Sequence, residues 1–431
     1  MHTSKQRHNF AEDITHTAEP SPLPPLLISN YTMDKQLRIW LFVLLGTLFT
    51  SSTLLAEGVI TMTTSERVGE EIQLIIKAND NVTIEGAQET GQANESGFKP
   101  YRLTSQTITI RGDVTELDCP FSELTSLDVS KSAALEILYC SDNKLTSLDV
   151  SKNSALTELN CFSNQLISLD VSKNIALKEL YCGENQLTSL DVSKNTALTI
   201  LDCFSSKLTS LDLSKNTALT ELNCYGNQLP SLDVSKNTAL TELYCSENQL
   251  TSLNVSKNTA LTKLDCSWNQ LTNLDVSKNT ALTSLSCFDN QLTSLNVSKN
   301  RALTTLSCGG NQLTSLDLSK NTALTELNCP DNQLTSLDVS KNTALESLEC
   351  CINQLTSLNI SGCARLDALY CFSNCINGEA MTKLVNSLPN RKGMSSGSLW
   401  VVSRFSKKGD KNRCSVADVT TARKKNWEVQ Q

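Results

Sequence analysis

Histidine is confined to His2, His8 and His16, and the rest of the 431-residue chain has none. Without an imidazole there is no Ser–His–Asp triad, no Cys–His pair and no His-ligated zinc site, which excludes most common hydrolytic chemistry. Aromatic residues are sparse at 5%, while Leu, Ser, Asn and Thr dominate; this bias points to internal repetition. A basic stripe is missing too. The net charge is −8 with the two signs interspersed, which argues against a nucleic-acid partner. No cysteine precedes Cys119, so an N-terminal lipid-attachment site is excluded.

Residues 1–32 are polar and Pro-rich, and the character changes at Met33. Lys35 and Arg38 lead into an apolar run from Ile39 to Phe49, then small residues and Leu54-Leu55-Ala56, the three parts of a secretory signal. Translation is expected to start at Met33, with 1–32 an over-called start and 33–56 a cleaved leader. The mature protein is expected outside the cell or on its outer surface, with the periplasm as the alternative. Ile39–Ala56 is at the short end for a spanning helix and is diluted by Thr and Ser, so no membrane insertion is expected after cleavage. Residues 57–118 alternate apolar and polar in short runs (Val59–Thr63, Ile72–Ile76, Val82–Ile84, Thr107–Ile110), which predict an N-terminal β cap. The polar stretch Gln88–Gly97 reads as a turn.

From Leu124 a 21-residue unit recurs twelve times without insertion, clearest as Leu229–Gln249, LPSLDVSKNTALTELYCSENQ. Its second half, Leu240-x-x-Leu243-x-Cys245-x-x-Asn248-x-Leu250, is the leucine-rich repeat pattern. Its first half, Leu229-x-x-Leu232-x-Val234-x-x-Asn237, is a near copy. The expected fold is a mainly β leucine-rich repeat solenoid over 119–376, its nested repeats forming parallel β ladders. A small α/β C-terminal cap is expected over 377–431, with helices at Glu379–Leu388 and Val416–Lys425 and Ser415 as a helix cap.

Thirteen of the 17 cysteines, from Cys119 to Cys371, fall on the inward apolar column of the second half-repeat. Cysteine there is expected to act as a small buried hydrophobe. A metal site would need a local cluster, whereas this period supplies one sulfur per coil, so neither a metal nor another cofactor is expected. Cys375 and Cys414 flank the C-terminal segment and could staple it.

The first half of the unit barely varies, and its Lys column, Lys131 to Lys341, is shadowed by Asp or Asn three residues earlier. It reads as a solvated structural face, with an acidic polysaccharide as the alternative ligand of the Lys column. Outward positions around the Cys column do vary. Ten aromatics lie there, which makes Tyr139, Phe162, Tyr181, Phe204, Tyr225, Tyr244, Trp268, Phe288, Tyr370 and Phe372 the candidate ligand-binding face. Exposed rings with acidic and amide neighbours suit a protein interface or a sugar-stacking platform. The alternative is that some rings fold over the sheet as lateral packing. No copy carries a unique polar cluster, so no enzyme is expected.

The run L-x-x-L-x-C-x-x-N-Q-L-T-S-L-D-V-S-K-N resembles the internalin-like leucine-rich repeat proteins of gram-negative anaerobic bacteria, those called internalin J. The segment around Ile60–Thr63 and the ending Asn374–Val429 are similar as well, so the resemblance runs from about Met33 to the end. It implies a surface-exposed adhesin or virulence factor that meets a host or bacterial surface protein, or a glycan, in host contact, cell–cell adhesion or biofilm formation. Many such proteins continue past the cap into a secretion and anchoring domain, whereas this chain stops at Gln431, which leaves anchoring open.

Overall fold

The spacing Leu-x-x-Leu-x-Cys gathers apolar side chains on one side of an extended segment, and a single coil cannot hide them alone. The computed structural model describes residues 58–403 and 410–430. The chain divides into Met1–Leu55 and Ala56–Gln431, and all described residues belong to the second unit. The expected leader over 33–56 and the segment before it lie outside the described residues.

One three-residue strand recurs per coil, from Ile137–Tyr139 through Glu158–Asn160 and Glu179–Tyr181 to Ala368–Tyr370, each paired in parallel with the next. Identical spacing sets the register, so Leu138, Leu159 and Leu180 stack directly. The middle residue of each triplet is buried and its two neighbours face outward. Val114–Asp118 starts this ladder and also pairs antiparallel with Glu71–Ala78; Gly397–Trp400 and Trp427–Gln430 end it. No helix among the described residues is long and apolar enough to cross a membrane.

The first half of each coil is extended, yet among the described residues its only parallel strand pair is Ser336–Asp338 with Ser357–Asn359. The two ladders of the nested repeat are therefore unequal: one is continuous, the other a fragment. Two successive tight turns follow the extended stretch, both in the coils that pair and in those that do not. The Asn237 N–H donates to Val234 O at 3.0 Å and the Leu240 N–H to Asn237 O at 3.1 Å, which turns the backbone along the coil.

Asparagine ladders stitch both halves. In the first half, Asn237 is wholly buried and donates through Nδ2 to Leu213 O (3.1 Å) and Asn216 O (2.8 Å) of the preceding coil. Ten such residues, Asn153 to Asn342, share this arrangement, and each leaves a buried Oδ1 without a hydrogen bond. In the second half, Asn248 Oδ1 accepts from Leu229 N–H (3.0 Å), and its Nδ2 reaches Cys224 O (2.9 Å), Cys245 O (3.3 Å) and Ser246 O (3.1 Å). Ser206 interrupts this second ladder, and its buried hydroxyl has no partner. Cys363 takes the asparagine position of the first-half ladder and donates from Sγ to Val339 O.

All thirteen ladder cysteines, Cys119 to Cys371, are wholly buried. Burial disfavours the thiolate and raises every one of these thiols, those of Cys161, Cys224 and Cys308 to about 12. They are neutral packing groups in the stacked column.

At the N-terminal end Val59–Thr64 lies between Thr107–Arg111 and Leu124–Asp128, all antiparallel. Lys99–Leu103, which the sequence reading does not anticipate, pairs with Glu71–Ala78 on one side and Ala87–Glu89 on the other. Pro100 disguises it, because proline offers no N–H to a ladder; here it contributes its carbonyl to Thr90 N–H. At the other end, helix α1 (Glu379–Ser387) buries Met381, Leu384 and Val385. Helix α2 (Val416–Lys424) starts at a reciprocal cap: Ser415 Oγ accepts from Asp418 N–H and Asp418 Oδ2 accepts from Ser415 N–H. Trp427 is buried over this end, with its Nε1–H donating to Pro389 O.

Candidate ligand-binding face

A three-residue strand offers two outward positions per coil, and the bend after the buried cysteine offers two more. The first of the latter carries Phe162, Phe204, Tyr225, Phe288 and Phe372, and the second carries Trp268. Backbone at that second position is left-handed in coil after coil, at φ 49° for Glu247, 54° for Trp268 and 48° for Asp289. Glycine, which meets no steric penalty there, occupies it at Gly226 and Gly310. The corner is stabilised by inter-coil hydrogen bonds such as Trp268 N–H to Phe288 O at 2.8 Å.

All ten candidate aromatics lie on this face, but they form separate groups rather than one stripe. Phe162 and Phe204 stack with centroids 5.3 Å apart across the intervening coil, where Gly183 leaves room; a Cβ at Gly183 would come within 2.7 Å of the Phe204 ring. Tyr225 continues the group at 6.4 Å from Phe204. Trp268 packs on Phe288 at 5.7 Å, and Phe372 on Trp400 at 4.7 Å. Trp400 is a ring that the sequence does not mark as part of this face. Lateral packing thus claims part of the surface: nine of the ten are half-buried, while Trp268 is 54% exposed.

The tyrosines of the strands are tied down by carboxylates. Tyr139 donates to Glu158, Tyr181 to Glu179 at 2.9 Å and Tyr244 to Glu242 at 2.6 Å. Burial and these neighbours raise all three phenols above their usual range, so they stay protonated donors. Glu158, Glu179, Glu221 and Glu242 occupy the first outward position of their strands, two residues before the column containing Tyr181 and Tyr244. This glutamate column was not singled out from the sequence, although the i, i+2 spacing in Glu-Leu-Tyr places both residues on one face. Like charges crowd there. Burial and then Glu242 and Asp202 raise Glu221, burial raises Asp202, and burial with Glu116 lifts Asp118 to about 6. Lys263 meets Glu242 at 3.0 Å.

Phe204, Asn223, Tyr225, Tyr244, Ser246 and Asp265 surround an open hollow of about 320 Å³. Ser246 Oγ donates to Asp265 Oδ2 at 3.2 Å, and Asn223 Nδ2 to Asp202 Oδ2 at 3.1 Å. The hollow therefore combines ring faces with one oriented carboxylate, that of Asp265. It is suited to binding.

On the opposite half of the coil the Asp column serves its own turn. Asp233 Oδ1 accepts from Ser235 N–H at 2.8 Å, and this hydrogen bond, ahead of Lys236, holds the carboxyl below its ordinary range.

No family model matches the chain, and no curated protein does. Solved structures do. The functional domain of InlJ from Listeria monocytogenes, which includes a cysteine ladder, is 34% identical over 76% of this chain and 75% of that one, with a TM-score of 0.62. A leucine-rich repeat protein of Leptospira interrogans is 29% identical over 60% of this chain and 72% of that one, at a TM-score of 0.57. An internalin (InlF) of Listeria monocytogenes shares the fold at 21% identity and a TM-score of 0.57, over 73% of this chain and 86% of its own. With one stacked cysteine per coil, capped ends and 34% identity to such a domain over 76% of its length, the chain belongs to the internalin-like leucine-rich repeat proteins.

Proposed function

We propose that this protein is an exported binding protein of the cell surface that engages protein partners through the strand face, in adhesion, biofilm formation or host contact, and that it is not an enzyme. One observation carries the reading: aromatic groups stand on an in-register parallel sheet whose outward residues vary from coil to coil, while the opposite half repeats nearly unchanged. Rigid rings lose little entropy on binding and anchor interfaces. The ten candidate aromatics, Tyr139 to Phe372, are assigned as the contact residues, with Trp268 the most accessible.

Capture from a cell-surface protein extract tests this. Replacing Tyr181, Tyr225 and Trp268 together by Ala is expected to abolish capture and leave the circular-dichroism spectrum intact; undiminished capture overturns the assignment. A glycan is the second reading, favoured by the ring, amide and carboxylate groups around one hollow, and a glycan array separates the two. A scaffold without a dedicated ligand is the third, and a deletion strain that adheres normally would support it. Export through the leader predicts that the recovered protein begins at Glu57.

A further inference from the structure

Charge is distributed unevenly over the strand face. In the two outward strand positions of the first eight coils, Glu116 to Asp265, stand eight carboxylates and one cation, Lys263. The next five coils carry two carboxylates there, Glu326 and Glu349. The corner column adds Asp142, Glu184 and Glu247 beside the acidic stretch and Asp289 and Asp331 beyond it, with no basic residue among them. Across the coil the balance reverses, with nine aspartates against eleven lysines in the paired columns from Asp128 to Lys341.

Internal pairing leaves most of this charge uncompensated. Glu116 has Lys77 at 2.7 Å and Glu242 has Lys263 at 3.0 Å. Glu158 and Glu179 accept from neutral tyrosines, and Asp202 and Asp265 from neutral amide or hydroxyl groups. Such neighbours orient a carboxylate without neutralising it. The hollow bounded by Phe204, Tyr225, Tyr244 and Asp265 lies inside the acidic stretch, so ring faces and a carboxylate converge on one volume. Aromatic faces attract cations, and more strongly when carboxylates share the site. Guanidinium groups also pair with carboxylates through two parallel hydrogen bonds.

Resting on the reading that the strand face binds protein, we propose that its acidic stretch docks a basic segment of the partner, and that the hollow between Phe204 and Asp265 receives an arginine or lysine side chain. Complementary charge then sets partner choice and speeds encounter, and the rings supply the anchor. The C-terminal coils, with their Ser and Thr surface, contribute little to this step.

The probe is a labelled eight-residue peptide alternating Arg and Gly, with an alternating Glu and Gly peptide as control, followed by fluorescence anisotropy on the full chain. Saturable binding of the Arg peptide is expected to weaken as salt rises, with none for the Glu peptide. The triple variant Glu221→Gln, Glu242→Gln, Asp265→Asn should lose at least tenfold in affinity. Neutralising Glu326 and Glu349, or Asp191, Asp212 and Asp233 on the other half, should change it less than twofold. Equal losses from all three variants would mean diffuse attraction and overturn the proposal, as would a neutral glycan whose binding the triple variant leaves unchanged. In capture from a surface extract, sensitivity to the aromatic variant without sensitivity to the charge variant refutes the basic partner alone; insensitivity to both refutes the binding face itself.

Discussion

The two halves of each coil share a spacing and an inward Leu, Val or Cys, yet they are held differently. In the half containing Val234, the carbonyls that Asn237 reaches have other donors: Leu213 O also accepts from Asn216 N–H and Asn216 O from Leu219 N–H. In the half containing Cys245, Asn248 is the hydrogen-bond partner of Leu229 N–H and spans three carbonyls. The side whose outer surface varies thus has its backbone secured from within by a side chain, in addition to the strand ladder. Outward residues can change there without loosening the coil, and they do.

The largest effect should come from breaking the more dependent half. Asn248→Ala leaves Leu229 N–H buried without a partner, and a loss of about 3 kcal/mol is expected from the urea midpoint. Next, Ser206→Asn restores the interrupted rung and supplies an acceptor at the place of a buried, unpartnered hydroxyl, for a gain of about 1–2 kcal/mol in the same titration. Asn237→Ala should cost only about 1 kcal/mol, because its carbonyl partners keep their backbone donors and an orphaned Oδ1 disappears with the side chain. A loss as large as that of Asn248→Ala would erase the distinction between the halves.

The smallest effect is electrostatic, and its sign differs between the halves. Asp233 and its column are held below the ordinary value of 3.8, so their contribution is present above that pH and lost as pH falls below it. Asp118 is lifted to about 6, so it opposes folding progressively as pH rises from 3.8 through 6. Asp118→Asn should therefore raise the melting temperature at pH 7 and leave it nearly unchanged at pH 4, whereas Asp233→Asn should lower it at pH 7. The same sign for both variants would contradict the assignment.

Much of the fold was legible because a 21-residue period fixes register without any long-range guess. Leu243 and Cys245 had to face inward, and the two terminal helices followed from their apolar spacing and from the Ser415 cap. Other features left no comparable mark. Leu-Thr-Ser-Leu-Asp-Val reads as a strand, but among the described residues its copies form one parallel pair, Ser336–Asp338 with Ser357–Asn359, and no continuous second ladder. The left-handed corner lacks a glycine signal, because only Gly226 and Gly310 show it by residue type. At the candidate site the aromatics were visible as variation between copies, while their grouping was not: Phe162 reaches Phe204 only because Gly183 intervenes. The glutamate column escaped notice because one exposed Glu in a copy carries no signal by itself, and only its stacking in register makes it a charged surface.

The division of labour between the halves can be tested by hydroxyl-radical footprinting of the full chain with and without its captured partner. Both halves carry accessible reporters, Trp268 on the strand face and Ile167 and Ile175 on the other, 67% and 63% exposed. Protection of Tyr181, Tyr225, Tyr244 and Trp268, with both isoleucines unchanged, is the predicted pattern. Protection of Ile167 and Ile175 with the rings still reactive would contradict it.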